Sequence, residues 1–575
     1  MKKFIYYLSF LMFAVITSQI TAQSELIIHA TPNSLDAVIK ADQDSGSPHD
    51  IYTLVSLDTT YVFDEGIIID NSIVIRGVAG ADGKLPTIQP GVDLEGNVAP
   101  HLFTFTKDES VIKLENLYLL GVSYNNTVDL GDGYGVTVNG NNIKTYIDNV
   151  VFEQWTQFSV NFSGDWNSFW VTNCKFRNSV NSGSVYTGQA FRQRNDLGTT
   201  LVDTIVMKYN TFFATNAYAM CSPVTGHLNY GEFSHNTVAA MVKNPLFSMN
   251  ATNMKIAHNI FYDTYASGMS NGEFPWWDRI WAGGLSSTID FDPLNKLNAY
   301  LAGIDTNAVD WSVQAEAIRT IDVIDNIYYR SPEIDAFIAS VNDTASTAND
   351  TIHLTPWMNE VTTNMFADDS QWPGFNDEGN KFVDPGFGDK YAEILGASGT
   401  VIPAENGIGM LPYITLARAN GGTANDQFGY NYSQPDGLED WVPTWPLPEF
   451  TDEVLKYTAD LTAIDGMVYG DPFWFTGVTD VEQINSVPTE YSLEQNYPNP
   501  FNPSTVIEYS LQKAGLVNLS VFNILGEEVA TLVNLEQGTG SYKVNFNAVN
   551  FTSGIYFYTL STNSVLLTKK MILIK

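Results

Sequence analysis

The sequence predicts an all-β protein in two parts. A right-handed parallel β-helix covers residues 23–475, and a small Ig-like β-sandwich covers 492–575. Three observations carry this. A phrase of apolar alternation, Asn and a bulky pair recurs along the middle of the chain. An aromatic residue follows most of those asparagines at an offset of three. Behind a proline-rich approach, the carboxyl-terminal stretch breaks into short alternating segments, the pattern of a small sandwich.

Taken in order, the chain opens as a secretory signal peptide, 1–22. Lys2 and Lys3 are its basic start, Phe4 to Ile16 its apolar run, and Ala22-Gln23 its cleavage point. The run is too short to span a bilayer comfortably, and no other run approaches transmembrane length. No cysteine follows the cleavage point, which argues against a lipid anchor. A hydrophobic share of 44% and a charged share of 16% fit a folded chain. The net charge of −36 argues against nucleic acid or anionic lipid as partners. It suits a soluble life outside the cell and favours cation sites. It would also repel polyuronates unless calcium or a basic stripe intervened. The two cysteines, Cys174 and Cys221, read as small core residues rather than a bridge.

Residues 25–110 read as the first turns of the solenoid. Ser34 to Ala41 has the pattern of a short capping helix. Ile67 to Ile75 reads as paired strands around Asn71, with Arg76-Gly77 as the exit. The passage resembles the first coil of pectin-lyase-like β-helices, which implies a helix closing the open hydrophobic end.

The repeat then runs through Asn116, Asn149, Asn173, Asn210, Asn236, Asn259 and Asn326, at spacings of 33, 24, 37, 26, 23 and 67. The shortest match one turn of a stacked solenoid, and the longer ones require insertions. Asn suits such a stack, because it tolerates the left-handed turn conformation and can bond the next coil through its amide. Phe152, Phe176, Phe213, Tyr262 and Tyr329 then predict one aromatic column inside the coil, with Ala239 as the exception. A β-sandwich with Asn-rich turns is the alternative. The region 268–320 breaks the rhythm as an insertion. Residues 340–480 are turn-rich, and Ile464 to Trp474 resembles the closing segment of secreted β-helix proteins. Residues 476–491 read as a polar linker.

The end of the chain is more specific. Three prolines lie between Pro498 and Pro503, so that approach is extended rather than helical. Val506–Leu511, Val517–Phe522, Tyr542–Phe546, Ile555–Leu560 and Lys570–Ile574 alternate as short strands. The segments YPNPFNPST (497–505), VFNILGEEV (521–529), SGIYFYTL (553–560) and KKMILIK (569–575) resemble the type A C-terminal sorting domain of type IX secretion cargo. The resemblance implies a partner, the type IX machinery, and export across the outer membrane of a Gram-negative bacterium. The domain would then be removed, and the cargo released or held at the cell surface. An ordinary terminal Ig-like domain is the plainer alternative.

Secreted β-helices are most often polysaccharide lyases or glycoside hydrolases. A lyase needs a base and a cation beside the uronate carboxylate; a hydrolase needs two facing carboxylates. The Arg-x-Pro-x-x-Arg signature of pectate lyases is missing, as are the Asn-Thr-Asp and Arg-Ile-Lys pieces of polygalacturonases. Other lyase classes stay open. As catalytic candidates, Lys208, Glu232 and Lys255 fall on outward positions of three successive coils; a surface salt-bridge ladder is the bland reading. His235 and His258 stack, as base and partner, as two edges of a metal site, or as structural turn residues. Arg192 and Arg194 form a loop pair able to clamp a carboxylate or merely to be solvated. Trp276, Trp277 and Trp281 fit sugar stacking or a buried insertion. Asp129 and Asp132, in Asp-Leu-Gly-Asp-Gly, fit calcium or a plain glycine-rich turn.

The expectation is a secreted or surface protein that binds or degrades extracellular polysaccharide, with lyase ahead of hydrolase if it is an enzyme. A non-catalytic adhesin or matrix protein is the alternative. A face of Lys or Arg with aromatics along one sheet would favour the first, and a face of short polar side chains the second.

Overall fold

The computed structural model describes residues 24–387 and 463–574, apart from 30–33, 57–59, 81–82, 92–100, 122–132, 178, 180–187, 194–199, 222–225, 248–249, 267–268, 271–286, 346–350, 466, 475–480, 485–490 and single or paired positions after 496. The chain divides into two compact units, Met1–Trp474 and Phe475–Lys575.

The first unit is built on two parallel sheets, of 18 and 7 strands. Strands meet their equivalents one rung further along the chain. Leu114 pairs with Ile147, and Val171, Met207, Phe233, Ile256 and Val323 continue the same column. These side chains are all buried. Alternation along each strand therefore turns one set of residues to the core and the other outward. The helix Leu35–Gln43 occupies the stretch expected from Ser34 to Ala41, starting one residue later and running two further. It buries Leu35 and Ile39 against the first rungs, while its Asp36 carboxylate accepts the backbone N–H groups of Asp64, Glu65 and Gly66. Ile67–Ile69 and Ile73–Val78, expected to pair with each other, instead lie in different sheets. The chain turns a corner between them at Asn71, and each strand pairs with a neighbouring rung.

The expected single column of seven asparagines is two columns, offset by one residue. Thr172 pairs with Lys208, so Asn173 aligns with Tyr209 and not with Asn210. Asn116, Asn149, Asn173, Tyr209, His235, His258 and Asp325 share a left-handed conformation, with φ between 51° and 59°. This residue divides each rung into two strand runs. Asn, Asp and His adopt it more readily than most residues. The next position is buried, and from Asn210 onward it carries the amide ladder. Asn210 Oδ1 accepts the N–H of Cys174, and its Nδ2 donates to Val171 O and Asn236 Oδ1 at 2.9 Å. Asn236, Asn259 and Asn326 repeat the arrangement, and Asn380 ends it. The left-handed turn and the amide bond, expected of one residue, are split between neighbours.

The same offset corrects the aromatic column. Phe152 stacks on Phe176 at 4.8 Å, and Phe176 on Phe212, not Phe213, at 4.9 Å, both nearly parallel. Those separations are the spacing of hydrogen-bonded strands. Val238, Phe261 and Tyr328 continue that column, while Phe213 aligns with Ala239, Tyr262 and Tyr329. Cys174 and Cys221 are both buried, as expected of small core residues.

The second unit holds two four-stranded antiparallel sheets. Ile507, Tyr509 and Val544 from one and Leu519, Tyr558 and Leu573 from the other share one core. Phe501, at the end of the proline approach, is buried and bonded on both sides to the last strand, through Ile572 O and the Ile574 N–H at 3.0 Å. Val481–Ile484, within the stretch read as a linker, forms an edge strand against Gly540–Asn547. Its backbone groups find partners in that sheet, which a free connector would leave to water.

Replacing Asn236 by Ala removes a buried donor pair and an acceptor used by two groups of Asn210. We expect a loss of about 2–4 kcal/mol, as for two or three unsatisfied buried groups, measured by denaturant unfolding of the first unit. An unchanged midpoint would show that the amides contribute nothing.

Candidate functional site

The outward face of the large sheet collects charged and aromatic side chains in columns. Lys113 pairs with Tyr146, and Tyr146 with Trp170. The two rings stack at 4.7 Å and 9°, with the Lys113 ammonium 5.7 Å from the Tyr146 ring. Val206, Glu232, Lys255 and Asp322 continue the column. Lys208 lies one column over, opposite Ser234, and reaches diagonally to Glu232 Oε1 at 2.9 Å. Lys255 Nζ is 4.0 Å from the same oxygen. Ser234 Oγ donates to Oε1, and Tyr230 Oη to Oε2. The structure thus brings Lys208, Glu232 and Lys255 together, with Lys208 reaching across from the neighbouring column. Burial would raise the Glu232 carboxyl, but the Lys208 ammonium, Ser234 and Lys255 outweigh it and hold it below its ordinary value.

A second cluster sits at the left-handed corner beside this face. The segment Ala463–Trp474 crosses several rungs there. Ile464 N–H donates to Asp325 Oδ2, Gly470 N–H to His258 O, and Asp471 N–H to Thr237 Oγ1. Thr211 Oγ1 donates to the Asp471 carboxylate, and Lys175 lies 3.3 Å over the Phe473 ring. Burial pushes the Asp471 carboxyl up to about 6. His235 and His258 face this segment, with ring centroids 4.7 Å apart. His235 Nε2 is 2.8 Å from Asp465 Oδ2, and His258 Nδ1 is 3.1 Å from both of those atoms. His235 Nδ1 lies 3.0 Å from Val468 O. Asp325, within 3.9 Å of His258 Nε2, accepts the Tyr469 hydroxyl, which in turn accepts from Lys381 Nζ. Desolvation would raise the Asp465 carboxyl; the hydrogen bonds from His235 and His258 reverse this and hold it well below the usual carboxylate range.

Arg192 does not join these clusters. Arg192 lies on the smaller sheet, its guanidinium 5.1 Å from the Phe158 ring. Arg194, Trp276, Trp277, Trp281, Asp129 and Asp132 lie outside the described residues. Sequence reasoning missed Lys113, Tyr146 and Trp170, although counting back from Asn116, Asn149 and Asn173 by three lands on each of them. It also missed Asp465, which is 230 residues from His235. Its only local signal was the turn dipeptide Asp465-Gly466.

Because its carboxyl is held low, Glu232 contributes stability above its ordinary value of 4.5 that is lost as pH falls through the depressed folded value. Against Glu232→Gln, the wild-type advantage in melting temperature should shrink as pH drops below that value. An advantage that does not change with pH would show that the carboxylate's charge is not what the lysines hold.

Residues 495–575 match the family described as "Secretion system C-terminal sorting domain". No curated protein and no solved structure matches the chain. Among the described residues no helix is long and apolar enough to cross a membrane. The carboxyl-terminal match supports a type IX sorting domain, and with it interaction with the type IX machinery and export to the cell surface or extracellular space.

Proposed function

We propose that the exported chain is a right-handed parallel β-helix that holds extracellular polysaccharide along the outward face bearing Lys113, Tyr146, Trp170, Lys208, Glu232 and Lys255. In this reading residues 1–22 are a signal peptide, 23–475 the working domain and 492–575 the delivery domain. The all-parallel pairing of successive rungs supports the solenoid. The observation that carries the function is the stacked Tyr146–Trp170 pair on the sheet face that also bears Lys113, Lys208 and Lys255. Half-buried rings give apolar contact to sugar faces, and ammonium groups bind hydroxyls or carboxylates.

Binding is favoured over elimination. Both Glu232 oxygens are already engaged, by Lys208, Ser234 and Tyr230, so Glu232 does not stand ready as a free base for proton abstraction. A lyase would need substrate to part Lys208 or Lys255 from Glu232.

The mature protein should be retarded in an affinity gel containing its glycan, without forming the absorbing double bond of a lyase product. Trp170→Ala should weaken retention about threefold to tenfold, the range of a lost aromatic contact. Unaltered mobility in both neutral and uronate glycans would overturn the reading. Separately, removing 492–575 should keep the chain out of the culture medium and off the cell surface, as read by cell fractionation.

A further inference from the structure

We infer that His235, His258 and Asp465 form a site for a divalent transition-metal ion of the zinc class. The inference stands apart from the glycan face. Its first support is convergence. Two imidazole nitrogens and a carboxylate oxygen, from two rungs and the crossing segment, lie 2.8–3.1 Å apart. Zinc bonds of about 2.0–2.2 Å would seat an ion about 1 Å outside that triangle, with the donors moving apart to about 3.3 Å.

The second support is the count of hydrogens. Val468 O can only accept, so the His235 Nδ1 beside it carries the hydrogen. In neutral His235 the Nε2 lone pair then points at the Asp465 oxygen 2.8 Å away and at His258 Nδ1. Electron pairs held that close need a positive centre among them, and that centre is a proton or a metal. His258 Nε2 is buried with no hydrogen-bond partner, 3.9 Å from Asp325 Oδ2. A metal that took His258 Nδ1 as a ligand would leave the ring hydrogen on Nε2, toward that carboxylate.

The third support lies in the groups behind the ligands. Metal-bound histidines direct the other ring nitrogen at a carbonyl or carboxylate. His235 does so at Val468 O, while His258 Nε2 lies 3.9 Å from Asp325 Oδ2, longer than a hydrogen bond. Asp465 Oδ1 accepts the Met467 N–H at 3.0 Å. Two imidazoles and one carboxylate suit zinc and its neighbours, not calcium. The histidine side chains are 5% and 6% exposed and Asp465 is 35% exposed. An ion could therefore enter from solvent, and its fourth position would be left to water.

The test uses the full chain, stripped with chelator and titrated with Co²⁺ in the visible and with Zn²⁺ by calorimetry. We expect one ion per chain, an intense tetrahedral Co²⁺ spectrum that Zn²⁺ displaces, and a higher melting temperature with zinc. Asp465→Asn, checked by circular dichroism, should weaken binding at least about tenfold to a hundredfold. His29→Ala, which removes an exposed histidine elsewhere, should leave it unchanged. If the wild-type chain gives no tetrahedral spectrum, or a folded Asp465→Asn variant binds as tightly, the site holds a proton and not a metal. Should Asp465→Asn not fold, stoichiometry and spectrum in the wild-type chain decide.

Discussion

The run of carboxamides from Asn210 to Asn380, buried as far as Asn326, is the constraint on which the downstream rungs depend. At each corner a left-handed residue interrupts the strand ladder and would orphan backbone groups on either side. The asparagine that follows it supplies them. Asn236 donates to Met207 O and its Oδ1 accepts the Asn210 N–H, both on the preceding rung, while its own N–H donates to Asn259 Oδ1 on the next. Every member serves its neighbour, so the amides form a connected network rather than a set of independent bonds. Upstream the same buried position holds Leu117, Val150 and Cys174. There the corner asparagines point outward instead, as Asn149 bonds to Asn116 at 2.8 Å. The stack thus uses two ways of closing its corner, apolar in its first half and polar in its second.

Much of this was legible because the chain repeats its own phrase. Alternation before each Asn put Glu232 and Lys255 on outward positions, and the two do pair. The one-residue slip between Asn173 and Asn210 was not legible. Both residues are asparagine, and only the pairing of Thr172 with Lys208 shows that they occupy different positions. The aromatic offset inherited that slip, since Phe212 and Phe213 are both bulky and adjacent. Asp465 was invisible for a different reason. Its partners come from a fold-back over hundreds of residues, and no local periodicity reports such a contact.

The two clusters differ in electrostatic character although they share rungs. On the open face, Glu232 sits between two ammonium groups, and the charge there is compensated within the sheet itself. At the corner, His235 and His258 are nearly enclosed, and the anion they share, Asp465, arrives from the crossing segment, with Asp325 of the stack 3.9 Å from His258. A strongly acidic chain would repel anionic ligands from most of its surface. The lysines of the face make a local exception to that field.

The segment Ala463–Trp474 gives the stack a fastening that its own repeats do not provide. It touches the rungs of Asp325, His258, Thr237, Thr211 and Lys175 in succession. Contacts between residues so distant in sequence form late in folding, because a large loop must close first. The rungs can assemble one upon another, but the clasp shuts only after all five are in place. Its closure therefore marks the end of assembly, and a chain broken ahead of it would display two naked imidazoles along an unlatched seam.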